Sequence, residues 1–294
     1  MQLRPLEKKD HNKLAGLLNT NLKNIYPFKE AGEEAIEVFL QDNKTIENVT
    51  TAGIFENNIL KGAACFGTLP ENGKKADFDI ILPGDGVILW LVCSDVTAGY
   101  ELVSHCLSKL PKTVFAFPEF GSLRTLTLFN TGMLPSVFTK EETVFRSSAF
   151  NIPAGEEWGP QERCWFRSKV PNNIELLAVP EEFELKREIM EGYRSRLKLF
   201  NKGVLIGECN ISNLKLFGKT FPGHFYIDWL SVQEKYRSRS FGSKLLLEQC
   251  RFAGEKGAVT CILTTHTGQP AHRLYKKLGF IGEGLSRTFC LKQK

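Results

Sequence analysis

Two runs of β-branched, aromatic and small apolar residues, TTAGIF and ILKGAACFG, meet at Glu56-Asn57-Asn58. Asparagine tolerates left-handed backbone, so Thr50 to Gly67 reads as a hairpin. GVILWLVCS (Gly86 to Ser94) is apolar throughout, the pattern of a buried strand. AGYELVSHCLSKL then shifts to a helical period, TVFAFPEF reads as a strand and LRTLTLFNTGM as a helix ended by glycine. VFTKEETVFRSSAF reads as more strand. Upstream, MQLRPLEKKD predicts a short strand ending at Pro5 and a helix opening near Asp10 as N-cap. DHNKLAGLLNTNL and EEAIEVFLQD carry apolar residues at helical spacing.

The second half repeats the order. GYRSRLKLFNKGVLIGECNIS (Gly192 to Ser212) is a hairpin turning at Asn201-Lys202-Gly203, and HFYIDWLSV (His224 to Val232) is a strongly apolar strand. SFGSKLLLEQCRFAGEKG is a helix ended by glycine, AVTCILTT a strand and QPAHRLYKKLGF a helix with Gly279 past its end. A last strand lies in IGEGLSRTFCLKQK. Hairpin, apolar strand, helix, strand, helix, strand thus occurs twice. Ser147 to Arg163, rich in Gly, Pro and Glu, is the natural boundary. The expectation is an α/β chain with one domain over residues 1–150 and another over 160–294.

Bulk composition narrows the classes. The chain has 294 residues, 42% hydrophobic and 24% charged, ordinary for a globular protein of two domains. Apolar runs fall far short of the ~20 residues that cross a bilayer, and the charged start has no apolar signal core. A cytoplasmic protein is expected, with no membrane partner. Eight cysteines are scattered through apolar stretches without a CxxC pair, which suits buried thiols in a reducing compartment rather than disulfides or a metal site. A net charge of +5 is compatible with an anionic ligand or with an ordinary solvated surface. Nucleic-acid binding would rest on that charge alone, with no helix-turn-helix signature or aromatic basic sheet beside it.

The stretch YRSRSFGSKLLL, between an apolar strand and a helix, holds the chemistry. The first N–H groups of a helix have no internal partner, and with the helix dipole they suit an anion, typically a phosphate. Ser238, Ser240, Gly242 and Ser243 keep the backbone approachable, and Arg237 and Arg239 bring guanidinium groups that fork onto phosphate. Such a turn suits a diphosphate; it also suits a serine-rich solvated turn with an N-cap.

YRSRSFGSKLL resembles the coenzyme A signature of the GNAT superfamily of N-acetyltransferases, Q/R-x-x-G-x-G/A after an apolar strand. Arg237 fills the first position, Ser240 the middle glycine position and Gly242 the last. The serine departs from the pattern and fits if its φ is negative. AHRLYKKLGF (Ala271 to Phe280) resembles the family's second signature, with Gly268 where an asparagine is common. The resemblance covers roughly Gly192 to Phe289 and implies two tandem GNAT-like domains, each a mixed central sheet flanked by helices. It implies an enzyme transferring acetyl from acetyl-CoA, the co-substrate, to a primary amine of a small molecule or peptide, as a monomer or homodimer. The turn residues named above would hold the pyrophosphate, and the backbone at Leu230 and Val232 the pantetheine arm. Tyr275 stands where the family places its general acid; it is otherwise a packing aromatic.

Asp228, mid-strand in an apolar run, is an expensive carboxylate unless it faces a cleft or a partner. It is a candidate base, an arginine's ion-pair partner or a substrate-ammonium ligand. His224 is a weaker candidate, His272 reads as an exposed helix residue, and Cys261 as core. In the first half, VCSDVTAGYELV has no arginine and its acidic Asp95 would repel a pyrophosphate, and Phe129 stands near the place of Tyr275. That half reads as a GNAT-like fold without cofactor chemistry that shapes the acceptor cleft, binds a partner or is purely structural. The alternative for the whole chain is a non-catalytic acyl-CoA-binding or regulatory protein.

Overall fold

The computed structural model describes residues 1–22, 30–41, 46–70, 82–116, 139–151, 154–155, 159–160, 162–169, 180–190, 194–216 and 219–293. The chain divides into two compact units. One comprises Met1–Arg163, Leu216–Lys219 and Gly284–Lys294, the other Cys164–Lys215 and Thr220–Glu283. In chain order the elements are β1 (Gln2–Pro5), a 3-10 turn (Lys8–Asp10), α1 (His11–Leu22), α2 (Glu33–Gln41), β2 (Glu47–Glu56), β3 (Ile59–Thr68), β4 (Gly86–Cys93), α3 (Val96–Lys109), β5 (Thr113–Ala116) and α4 (Thr139–Ser147). A two-stranded piece, β6 (Ala154–Gly155) with β7 (Gly159–Pro160), follows. Then come β8 (Glu162–Lys169), β9 (Phe183–Met190), β10 (Arg194–Asn201), β11 (Val204–Leu216), β12 (Lys219–Val232), a 3-10 turn (Glu234–Tyr236), α5 (Phe241–Glu255), β13 (Thr260–His266), α6 (Pro270–Lys277), β14 (Ile281–Arg287) and β15 (Phe289–Lys292). Among the described residues no helix is long and apolar enough to cross a membrane.

The first sheet has the order β1-β2-β3-β4-β5-β15 and the second β14-β8-β13-β12-β11-β10-β9. The repeat of architecture is visible in the pairing. β1 joins the β2–β3 hairpin antiparallel as β9 joins β10–β11, and β4 pairs β5 in parallel as β12 pairs β13. Both hairpins turn where expected, with left-handed φ of 49° and 64° at Asn57 and Asn58 and of 48° and 79° at Lys202 and Gly203. Two positive φ values in a two-residue loop match the right-handed twist of the strands. The fully apolar run is β4, buried at every residue.

Several expectations are corrected. The segment around Lys140 to Arg146 is the helix α4, not strand. Val144 and Phe145 are wholly buried, and Val144 lies so close to Gly99 on α3 that a Cβ there would stand 2.6 Å from its Cγ2. Adjacent apolar residues that both need cover, beside a helix-favouring Lys-Glu-Glu run, were outweighed in the sequence by Thr, Val and Phe. Asp10 closes the 3-10 turn instead of capping α1. Its buried carboxylate accepts from both terminal nitrogens of Arg4, at 2.6 and 2.8 Å, and from the Glu7 N–H. The closing segment holds two strands in different sheets, β14 beside β8 and β15 beside β5, with Phe289 opposite Ala116. The helix expected over LRTLTLFNTGM, with Phe129, lies outside the described residues, as does the end of TVFAFPEF.

In the second unit α5 packs on one face of the sheet. Leu245 Cδ1 stands 3.1 Å from where a Cβ on Gly207 would be, which is why glycine serves there. Leu245 and Leu246 are fully buried, each contributing about 2 kcal/mol of apolar transfer. Gln249, also fully buried, donates to the carbonyls of Ser195 and Cys209 and accepts from Arg187 and from the Ser195 hydroxyl. A buried amide satisfied on both ends fixes the helix in register on β10 and β11.

Candidate active site

β12 and β13 run in parallel, yet their ladder extends only from His224 opposite Thr260 to Ile227 opposite Leu263. β12 continues to Val232 and β13 to His266, so among the described residues the strands part company at Asp228. Backbone donors and acceptors of a parallel ladder that ends inside both strands must find other partners. The fork is therefore a place where an extended, amide-bearing molecule can lie against strand edge. Asp228, Leu230 and Val232 all fall on its β12 side.

The serine-rich turn follows directly. Ser238 and Ser240 have φ of 62° and 61°, so the serine at the middle glycine position does not take the negative φ expected of it. A left-handed non-glycine costs of order 1 kcal/mol, and such strain concentrates at functional turns. Arg237, at φ −65° and ψ 166°, is extended, so the turn enters its two left-handed serines from a strand-like residue. Ser240 occupies the N-cap of α5 and makes no side-chain cap bond. In the first unit, Asp95 at the N-cap of α3 accepts from Ala98 N–H at 2.9 Å. The carboxylate fills the place an anion would take. Two equivalent helix starts thus differ: one is closed by its own chain and the other left to solvent.

Arg237 Nε donates to Val232 O at 3.1 Å, which ties the guanidinium to the end of β12, and its terminal nitrogens make no further bond among the described residues. The Arg239 guanidinium lies 5.7 Å from the centre of the Tyr236 ring. Ser238, Arg239 and Ser240 are exposed, and Ser243 half-buried. A Cβ on Gly242 would meet only Leu274 at 3.5 Å and Val232 at 3.9 Å, so alanine would fit there.

Tyr275 is 5% exposed on α6, between Phe166 and Phe280 with ring centroids 5.8 and 6.0 Å away. Its hydroxyl makes no hydrogen bond among the described residues, and burial pushes its pKa well above the ordinary value. The phenol stays protonated. Because a thiol's pKa near 8.5 is lower, full proton transfer to a thiolate runs uphill, and the group is better suited to donate a hydrogen bond. Asp228 Oδ2 stands 3.8 Å from Arg194 Nη2, so the ion-pair alternative is realised at long range. The Arg194 partner was not legible in sequence: it is 34 residues away, on β10, and only strand pairing brings the two together.

His224 Nδ1 lies 2.6 Å from Thr260 Oγ1, and burial lowers its pKa, which leaves it neutral near pH 7. His272 is half-buried, edge-on to Phe166 at 5.1 Å, rather than exposed. A hydrogen bond with Cys250, together with burial, keeps the Cys261 thiol protonated, in keeping with a core residue. Among the described residues no group of three His, Cys, Asp or Glu side chains is placed to hold a metal ion.

Comparison with known proteins adds the family. The model of the acetyltransferase (GNAT) family matches residues 162–280. A stretch of 103 residues is 29% identical to the N-alpha-acetyltransferase RimI of Mycobacterium tuberculosis; it takes in 35% of this chain and 62% of that relative, so the chain spans under two thirds of the length of the curated relative it matches. Solved structures resemble nearly the whole chain in fold. A tandem GNAT protein from the clavulanic acid biosynthesis pathway superposes with a TM-score of 0.65 at 10% identity, over 99% of this chain and 98% of its own. A GCN5-related N-acetyltransferase from Sphaerobacter thermophilus gives 0.65 at 11%, over 98% and 94%. The fold is mixed α/β with two helix-flanked sheets, as in tandem GNAT proteins, and the region Glu162 to Phe280 belongs to the acetyltransferase (GNAT) family.

Proposed function

We propose that the chain is an acetyl-CoA-dependent N-acetyltransferase that acts on the primary amine of a small molecule or peptide. The observation that carries this reading is the fork between β12 and β13 beside an uncapped helix start. The two features lie at the right separation in sequence for one molecule to use both: a pantetheine arm along Leu230 and Val232, and a pyrophosphate over the turn. Arg237, Ser238, Arg239, Ser240, Gly242 and Ser243 would hold the diphosphate through N–H groups, hydroxyls and guanidinium charge. A neutral amine attacks the thioester carbonyl, the C–N bond forms, the C–S bond breaks, and the coenzyme leaves as thiolate, which takes up a proton from water. The amine's surplus proton passes to Asp228, directly or through water, and Tyr275 donates a hydrogen bond to the departing sulfur.

The RimI likeness supports an amine acceptor. The first unit has its helix start closed by Asp95, which supports a role in shaping the acceptor cleft, binding a partner or bracing the fold. Residues 1–150 and 160–294 stand as the proposed domains, in a cytoplasmic monomer or homodimer. A second reading, an acyl-CoA-binding protein without chemistry, draws on Ser240 and Gly268 where the family pattern has glycine and asparagine.

Calorimetric titration with acetyl-CoA tests the cradle. Arg237→Ala with Arg239→Ala is expected to weaken binding about tenfold to a hundredfold. Unchanged affinity in the double variant would remove the cradle. Thiol release with any amine decides for catalysis over binding alone.

A further inference from the structure

α5 covers one face of the second sheet, the face on which the Ser195 hydroxyl donates to Gln249 and Leu245 packs over Gly207. Side chains alternate along a strand, so Arg194 and Arg196 on β10 project from the other face, together with Asn210, which stands opposite Arg196 in register. Asp228 reaches the same face, 3.8 Å from Arg194. Two polar atoms there are buried with no hydrogen-bond partner among the described residues: the Nε–H of Arg196 and Oδ1 of Asn210. Asn210 is only 8% exposed. The carboxylate opposite Arg196, Glu188, is bonded to Lys198 at 2.6 Å. It offsets part of the arginine's charge without accepting from that Nε–H.

A buried donor and a buried acceptor left unsatisfied on paired residues each carry a desolvation penalty that nothing offsets. Such groups in a native structure call for a strain, catalytic or binding role, or for a water or ion that completes them. The missing molecule must accept from a guanidinium and donate to an amide oxygen within a few ångströms, and it must sit beside Asp228, at the first residue of the fork. A carboxylate next to an ammonium meets all three demands.

We propose that this face of β10–β12 is the acceptor site and that it selects α-amino acids: Arg196 with Arg194 takes the carboxylate, while Asn210 Oδ1 and Asp228 take the amino group. This rests on the acetyl-transfer reading and narrows it, since a peptide N-terminus carries no adjacent carboxylate. The acceptor enters from the face opposite α5 and meets the thioester through the fork. The carboxylate takes no part in bond making; it orients the nitrogen.

The test is thiol release from acetyl-CoA with a panel of L-α-amino acids, glycine included, each matched to the primary amine lacking its carboxylate. At least one amino acid is expected to exceed its amine counterpart about tenfold to a hundredfold in kcat/KM. Arg196→Met and Asn210→Leu should each reduce that ratio to within about threefold while acetyl-CoA affinity, by calorimetry, stays unchanged. The proposal is overturned by a panel without a reactive member, by amines that match or beat their amino acids, or by a ratio that survives both substitutions. The last two outcomes would mean that a bridging water alone completes Arg196 and Asn210. If Arg196→Met fails to fold by circular dichroism, the wild-type panel and Asn210→Leu decide. Wild-type protein that binds no acetyl-CoA removes the parent reading and this one together, whereas turnover indifferent to the carboxylate removes only this one.

Discussion

Asp10 and Tyr275 are both buried polar side chains, and their surroundings assign them opposite tasks. Hydrogen bonds from Arg4 hold the Asp10 carboxyl down at about 2, against the desolvation that acts in the other direction. A depressed acid contributes stability that is complete above its unfolded pKa of 3.8 and is lost as pH falls through about 2. The shift corresponds to about 2 kcal/mol. Asp10→Asn should therefore lower the urea-unfolding free energy by about 2 kcal/mol at pH 7, and the gap to wild type should close as the pH approaches 2. A gap independent of pH would show that the ion pair contributes nothing specific. At Tyr275 burial, with a lesser contribution from Cys209, raises the pKa, and its role rests on the hydroxyl. Tyr275→Phe keeps the packing against Phe166 and Phe280. It should lower kcat about tenfold to a hundredfold with acetyl-CoA affinity unchanged; an unaltered kcat would leave the ring as packing only.

Helix α5 joins stability to binding, because the turn at its start can hold a ligand only if the helix axis is fixed. Gln249 supplies that constraint through Ser195, Cys209 and Arg187, whose guanidinium also donates to the Glu248 carbonyl at 3.2 Å. Gln249→Leu removes the amide but leaves the half-buried Arg187 and two carbonyls short of partners. It should cost about 3 kcal/mol in urea unfolding and weaken acetyl-CoA binding, although the residue lies two turns from the turn. Loss of stability with binding intact would separate the two functions.

At the scale of the molecule, the last strand belongs to the first sheet. Phe289 is 4% exposed and stacks on Phe145, with centroids 5.6 Å apart. Removing residues 289–294 strips β5 of its neighbour and exposes Ala116, Phe115 and Val114 along that edge. The first unit should lose about 3–5 kcal/mol, visible as an earlier calorimetric transition, while acetyl-CoA binding to a folded second unit persists. Coincident loss of both would show that the units fold as one.

Much of this was legible in the order of residues. Hairpins with Asn-Asn and Lys-Gly turns, an all-apolar strand, and a small-residue turn opening a helix are local patterns, written by backbone sterics and period, and they were found where the chain predicts them. The family signature at Arg237 to Gly242 is local too. What the sequence could not show depends on which strands lie side by side. Arg194 beside Asp228, Asn210 opposite Arg196, Gln249 under Ser195, the end of the β12–β13 ladder at Ile227 and the placing of β15 in the first sheet all join residues far apart along the chain. Helix α4 belongs here as well, since the need to bury Val144 against α3 and Phe145 against Phe150 and Phe289 outweighed their strand preference. Local propensity is worth tenths of a kcal/mol per residue, and burial of one side chain is worth more; tertiary packing therefore decides wherever the two disagree.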